Sequence, residues 1–84
     1  MSNQFSNASD KEIAEFYQKI SERIKQLREE KKLTQLDLAL DIGIKSVAFY
    51  SNCENNRYNK HFNLEHIYKI AKSLEVDICY FFNR

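Results

Sequence analysis

Gly43 is the one glycine among 84 residues, and the chain has no proline. Every other change of direction must be made by residues that carry side chains, which disfavours sandwiches and barrels with their many tight turns. Gly43 lies inside residues 34–54, TQLDLALDIGIKSVAFYSNCE. Thr34 and Gln35 open a short helix there, and Leu38, Ala39 and Ile42 give it an apolar stripe at i, i+1 and i+4. Gly43 then takes a backbone conformation that other residues resist, and a second helix starts after Ile44. A residue as small as Ala39 lets the two helices approach closely.

The flanking sequence is also helical in pattern. Ser9 with Glu12 spells a capping box. Behind it Ile13, Tyr17, Ile20, Ile24 and Leu27 recur at spacings of 4, 3, 4 and 3, one face of a long amphipathic helix. The charges on its other faces read as a solvated surface. Residues 1–8 are polar apart from Phe5 and are expected to form a flexible tail, leaving 9–84 as one folded domain. After a polar loop, NNRYNKH, Asn63 is placed to cap a helix faced by Leu64, Ile67, Tyr68, Ile70, Ala71 and Leu74. Asp77 is placed to cap a short last helix, ICYFF. The expectation is an all-α domain of five helices. Six Phe and five Tyr supply large buried areas to so small a core.

Composition narrows the function. No apolar run approaches a membrane span and no signal-peptide pattern opens the chain, so a cytoplasmic location is expected. Cys53 and Cys79 fall in apolar helical patterns and read as core residues. With His61 and His66 they make C-x7-H-x4-H-x12-C, which matches no zinc spacing, and no metal or other cofactor is expected. There is no phosphate loop and no nucleophile with a base, so an enzyme is not expected. The net charge of +1 does not by itself announce a nucleic-acid binder. Its distribution is uneven, however. Acids gather in residues 10–30 and 37–41, whereas Lys45, Arg57 and Lys60 face only Glu54 between 45 and 60.

Two helices joined by a short glycine turn form the unit whose second helix enters the DNA major groove. At Thr34 and Gln35, Leu38 and Ala39, Ile42 to Ile44, Glu54 and the ending IAKSLEVDICYFF, residues 20–82 resemble the Xre/Cro family of helix-turn-helix repressors. The resemblance implies a repressor-like fold whose first helix carries an N-terminal extension, residues 9–19. It implies that Gln35 touches a DNA phosphate and that helix 3, about residues 45–54, reads bases. It also implies an ion pair between Arg28, seven residues before Gln35, and Glu54. Small members of this family serve as autoregulators of restriction-modification operons, as phage or mobile-element repressors, or as antitoxins.

Two spacings depart from the family pattern. The interval from Gly43 to Glu54 is one residue longer, and the loop after Glu54 is longer and lacks the usual glycine. Counted from Gly43, Phe49 is buried and Lys45, Ser46, Tyr50 and Ser51 face DNA. Counted from Glu54, Tyr50 and Cys53 are buried and Phe49, Ser51, Asn52 and Asn55 face out. The candidate DNA-binding set is therefore Thr34, Gln35, Lys45, Ser46, Ser51, Asn52, Asn55, Arg57 and Lys60. Each has a plainer reading: Thr34 as a helix cap, Asn52 and Asn55 as helix-end residues, Arg57 and Lys60 as loop charges.

The expected function is sequence-specific DNA binding by a transcriptional regulator, a repressor or autoregulator with no residues left in this chain for an effector domain. Useful specificity implies a homodimer on a palindromic double-stranded operator. Ile78, Tyr80, Phe81 and Phe82 are the expected interface, because they crowd apolar surface into one and a half turns. The extension, through Ile13, Phe16 and Tyr17, is the competing one. The alternative function is a protein-interaction module with a degenerate helix-turn-helix, an antitoxin-like binder of a protein partner.

Overall fold

A computed structural model describes residues 6–83. Four α-helices follow one another: α1 Asp10–Glu30, α2 Gln35–Asp41, α3 Val47–Glu54 and α4 Leu64–Ser73. Short 3-10 segments occupy Arg57–Asn59 and Ile78–Phe81, and no strand occurs among the described residues. The class is all-α as expected, but the fifth helix is a single 3-10 turn. Asp77 accepts a hydrogen bond from Cys79 N at 2.8 Å, and Tyr80 N and Phe82 N each reach back only three residues. That tighter winding turns Phe81 fully into the core. Residues 1–5 of the expected tail lie outside the described residues.

Each helix begins at a side-chain cap. Ser9 and Glu12 form a reciprocal capping box on α1, Thr34 and Asp37 do so on α2, and Asn63 with His66 on α4. The His66 box requires Nδ1 to accept from Asn63 N, and burial pushes the His66 pKa down, which favours that neutral ring. α3 has the simpler cap, Ser46 Oγ accepting from Phe49 N at 3.1 Å.

The helix ends explain how a chain with one glycine turns. α2 stops at Gly43, φ 83°, with Ile44 N donating to Ala39 O at 2.8 Å. α1 and α4 stop in the same way without glycine. Lys32 takes φ 60° while Leu33 N bonds to Arg28 O, and Glu75 takes φ 59° while Val76 N bonds to Ala71 O. All three are Schellman ends, and the residue after each left-handed position is apolar and packs on the core. The apolar residues Leu33, Ile44 and Val76 thus mark the helix ends more faithfully than glycine does.

The core is drawn from all four helices around Ile24, Leu38, Tyr50, Ile70, Leu74 and Phe81. Ala39 is fully buried where α2 meets α3. Only the second half of α1 joins in, through Ile20, Ile24 and Leu27. The first half overhangs, with Ile13 and Phe16 exposed. Phe16 rests against Phe82 with ring centroids 6.2 Å apart.

A buried carboxylate ties three helices together. Glu54, at the end of α3, receives Arg28 Nε and Nη2 at 2.9 and 3.1 Å, Gln35 Nε2 at 2.9 Å and Tyr50 Oη at 2.7 Å. Arg28 Nη1 donates to Leu33 O at 2.7 Å. No buried side-chain nitrogen or oxygen lacks a partner among the described residues. Burial pulls the Glu54 pKa up, but the bonds from Arg28, Gln35 and Tyr50 and the Arg28 charge outweigh it and hold the carboxyl below the usual range. Burial, and then the bond to Glu54, keeps the Tyr50 phenol protonated far above its ordinary range.

Glu54→Ala should strand Arg28 and cost about 3–5 kcal/mol, read by chemical denaturation. Because the folded pKa of Glu54 is depressed, its contribution is complete above the unfolded value of about 4.3 and is lost as pH falls through the folded value. Denaturation of the wild type should therefore show stability declining below that pH, and Glu54→Gln should flatten that limb.

Glu75→Gly should raise stability by about 1 kcal/mol, since it relieves a side chain in the left-handed region. Gly43→Ala should lower it by a similar amount, even though a Cβ at Gly43 meets nothing within 4 Å. Thermal unfolding checks both, with midpoint shifts of roughly 4–8 °C per kcal/mol expected for a domain of this size.

Candidate nucleic-acid interface

α3 is short enough that its start fixes which residues it presents. It begins at Val47, not at 45, so the additional residue after Gly43 lies in the turn and Lys45 projects ahead of the helix. Tyr50, Cys53 and Glu54 are buried, while Val47, Ala48 and Asn55 are exposed and Ser51 and Asn52 half-exposed. This is the arrangement counted back from Glu54, except that Phe49 is half-buried and packs against the core. The outward strip thus runs Val47, Ala48, Ser51, Asn52, Asn55, at helical spacing. Val47 and Ala48 were absent from the sequence-based set. They sit one turn before Ser51 and Asn52, a spacing that becomes readable once the start of α3 is fixed.

Cations flank this strip. Lys45 is exposed at its N-terminal end beside the Ser46 cap. At the other end Arg57 folds back, Nη2 donating to Ser51 Oγ at 3.0 Å, and Asn55 Nδ2 donates to Ser51 O at 2.9 Å. Ser51, Asn55 and Arg57 therefore form one hydrogen-bonded group at the end of α3. Lys60 is exposed on the same loop. The Glu54 charge is turned inward onto Arg28 and does not oppose these cations.

At the start of α2 the side chains are engaged within the domain. The Thr34 hydroxyl accepts from Asp37 N at 3.0 Å, so Thr34 is a cap. The Gln35 amide is engaged with Glu54, which brings the start of α2 beside the end of α3. Asp37 sits exposed in the same first turn, and the bonds from Thr34, the backbone one foremost, hold its carboxyl below the usual range. The start of α2 thus carries a negative charge, the first of the acids gathered in residues 37–41.

The loop after Glu54 turns without glycine by placing Asn56, Tyr58 and Asn59 at φ 53°, 54° and 57°. Asparagine tolerates that region; tyrosine does so rarely. Tyr58 is 79% exposed next to Arg57, another surface residue that the sequence reading passed over.

The four expected interface residues separate. Phe81 is fully buried in its own core and Ile78 packs partly against it, whereas Tyr80 and Phe82 are 44% and 37% exposed. Phe81 therefore cannot serve an interface, because the 3-10 turn has already used it for packing. Phe82 adjoins Phe16, so the two competing surfaces meet there, bordering a groove of about 300 Å³ lined by Phe16, Tyr17, Leu64, Ile67 and Phe82. Cys53 is buried, but Cys79, expected in the core, is exposed because Asp77 caps the turn through the Cys79 backbone. Among the described residues no three His, Cys, Asp or Glu side chains gather as a metal site, and no helix is long and apolar enough to cross a membrane.

The sequence model of the Xre/Cro-type helix-turn-helix family matches residues 24–81, which takes in α2, α3, α4 and the second part of α1. No curated protein and no solved structure gives a significant match. Family match and geometry agree on the same unit, and the chain belongs to the Xre/Cro-type helix-turn-helix family of DNA-binding regulators.

Proposed function

We propose that this chain is a sequence-specific transcriptional regulator that binds a palindromic operator as a homodimer, with α3 in the major groove, and acts as a repressor or autoregulator by occupying that site. The observation that carries the reading is the outward strip of α3, bounded by Lys45 at one end and Arg57 at the other. Lys45, Arg57 and Lys60 have the chemistry for phosphates, which fix register without reading sequence. Asn52 has the donor and acceptor pair that matches adenine, and Val47 and Ala48 suit thymine methyl groups. Ser46, Ser51 and Asn55 complete the set, while Thr34 and Gln35 support it by holding the start of α2 in place.

A second reading, a protein-interaction module, draws on the net charge of +1 and on the Asp37 carboxylate at the start of α2. Salt separates the two: DNA affinity should fall steeply with ionic strength, whereas a protein binder shows no DNA affinity.

The homodimer commits the apolar patch of Phe16, Leu64 and Phe82 to a second copy of this chain. One α3 spans only a few base pairs, and two-fold pairing supplies the second half-site. The patch lies on α1, α4 and the C-terminal turn, and leaves the α3 strip free.

On a site selected from random duplex DNA, Lys45→Ala should weaken binding to all sequences alike and lower the salt slope by about one unit. Asn52→Ala should relax preference at one base pair, at a cost of about 1–3 kcal/mol. Gel-shift titrations over a salt series read both, and unchanged binding in both variants removes α3 from the groove.

Phe16→Ser with Phe82→Ser should convert the dimer to a folded monomer in sedimentation equilibrium and cut operator affinity. A wild type that stays monomeric while binding the operator refutes the interface.

A further inference from the structure

Two parts of this chain depart from the family pattern, the start of α1 and the longer loop after Glu54, and here they meet. The Tyr17 ring stacks on the His61 imidazole, with centroids 3.7 Å apart and planes within 6°. One turn further along α1, buried Ser21 donates to Tyr17 O at 2.6 Å and accepts from Asn56 Nδ2 at 2.8 Å. Ser21 spends its proton on that carbonyl, so it must accept from Asn56, and the Asn56 amide is thereby oriented. Asn56 Oδ1 then faces His61 Nδ1 at 3.0 Å, which makes that nitrogen the donor. His61 Nε2 lies 3.3 Å from Asn59 Oδ1.

Tyr17 and Ser21, four apart on one face of α1, thus grip residues 56 and 61. Both precede the residues matched by the family. Between the gripped residues lie Arg57 and Lys60, on backbone whose left-handed Asn56, Tyr58 and Asn59 the chain would seldom adopt unaided. Tyr17 and His61 are half-exposed and stand outside the core cluster, so the core does not need them.

We propose that the middle of α1, from Tyr17 in the extension to Ser21, is a brace for the loop, and that Tyr17, Ser21, Asn56 and His61 are positioning residues that set Arg57 against a DNA phosphate. The inference rests on the reading of Arg57 as a phosphate contact. The extension and the longer loop form one device: the loop carries the cation and α1 holds it in place.

The test uses the full chain and a duplex carrying the site it selects from random DNA, with affinity measured over a salt series for wild type, Arg57→Ala, Tyr17→Ala, His61→Ala, Tyr17→Phe and the Tyr17→Ala/Arg57→Ala double variant. Arg57→Ala, Tyr17→Ala and His61→Ala should each lower the salt slope by about one unit. Tyr17→Phe, which keeps the stacking ring, should restore the wild-type slope. The double variant should bind no worse than Arg57→Ala, since the brace acts through Arg57. A purely structural role would lower the thermal midpoint and leave the slope alone, and that result overturns the brace. So does a slope that responds to Arg57→Ala but not to Tyr17→Ala or His61→Ala. A slope that ignores Arg57→Ala overturns the phosphate reading, and the brace falls with it.

Discussion

The Glu54 carboxylate has no contact with water, and four donors from three helices converge on its two oxygens. A buried ion is costly unless its hydrogen bonds are complete, so this residue imposes geometry as much as it adds stability. Arg28 must reach from α1, Gln35 from the start of α2 and Tyr50 from one turn earlier on α3. Moving any of these helices leaves a charged oxygen short of a partner. The angle between α2 and α3, and with it the face that α3 turns outward, follows from satisfying one side chain.

Much of this was legible in the sequence where side chains carry the signal. Ser9, Thr34, Asn63 and Asp77 announce the starts of their elements because a short polar side chain can satisfy a free N–H from that position and few other residues can. Arg28 and Glu54 were readable only through resemblance, since nothing in the spacing of residues 26 apart says that they meet. The last helix was misread because an apolar run with a cap looks the same whether it winds as α or 3-10, and that difference decides that Phe81 points inward and Cys79 outward. The backbone turns were less legible. Left-handed positions are inferred from glycine, and here Lys32, Tyr58 and Glu75 occupy them, Lys32 and Glu75 within the hydrogen-bonded ends of α1 and α4.

The candidate site shows the same division. Which residues of α3 face outward depends on where one additional residue is accommodated, and two anchors eleven residues apart, Gly43 and Glu54, gave different answers that agree only on Ser51. The structure accommodates it in the turn: Glu54 is fixed by donors from three helices, and the additional residue is taken up between buried Ile44 and the Ser46 cap, where Lys45 is exposed. The Glu54 end dictates the face, and the turn absorbs the insertion. The same rule accounts for Lys45 lying ahead of α3 instead of on it.

Three helices end with the same backbone geometry, and two of those ends use a charged, exposed residue where glycine fits best. A domain of this size holds a margin of only about 5–15 kcal/mol, and a change of about 1.4 kcal/mol alters the folded-to-unfolded ratio tenfold. In a cell the unfolded fraction is what proteases remove. Neither Lys32 nor Glu75 lies on α3, so substitutions at these two surface positions can reset how long each copy survives while the outward strip of α3 stays the same. Stability and the face that α3 presents are, in this chain, separately adjustable.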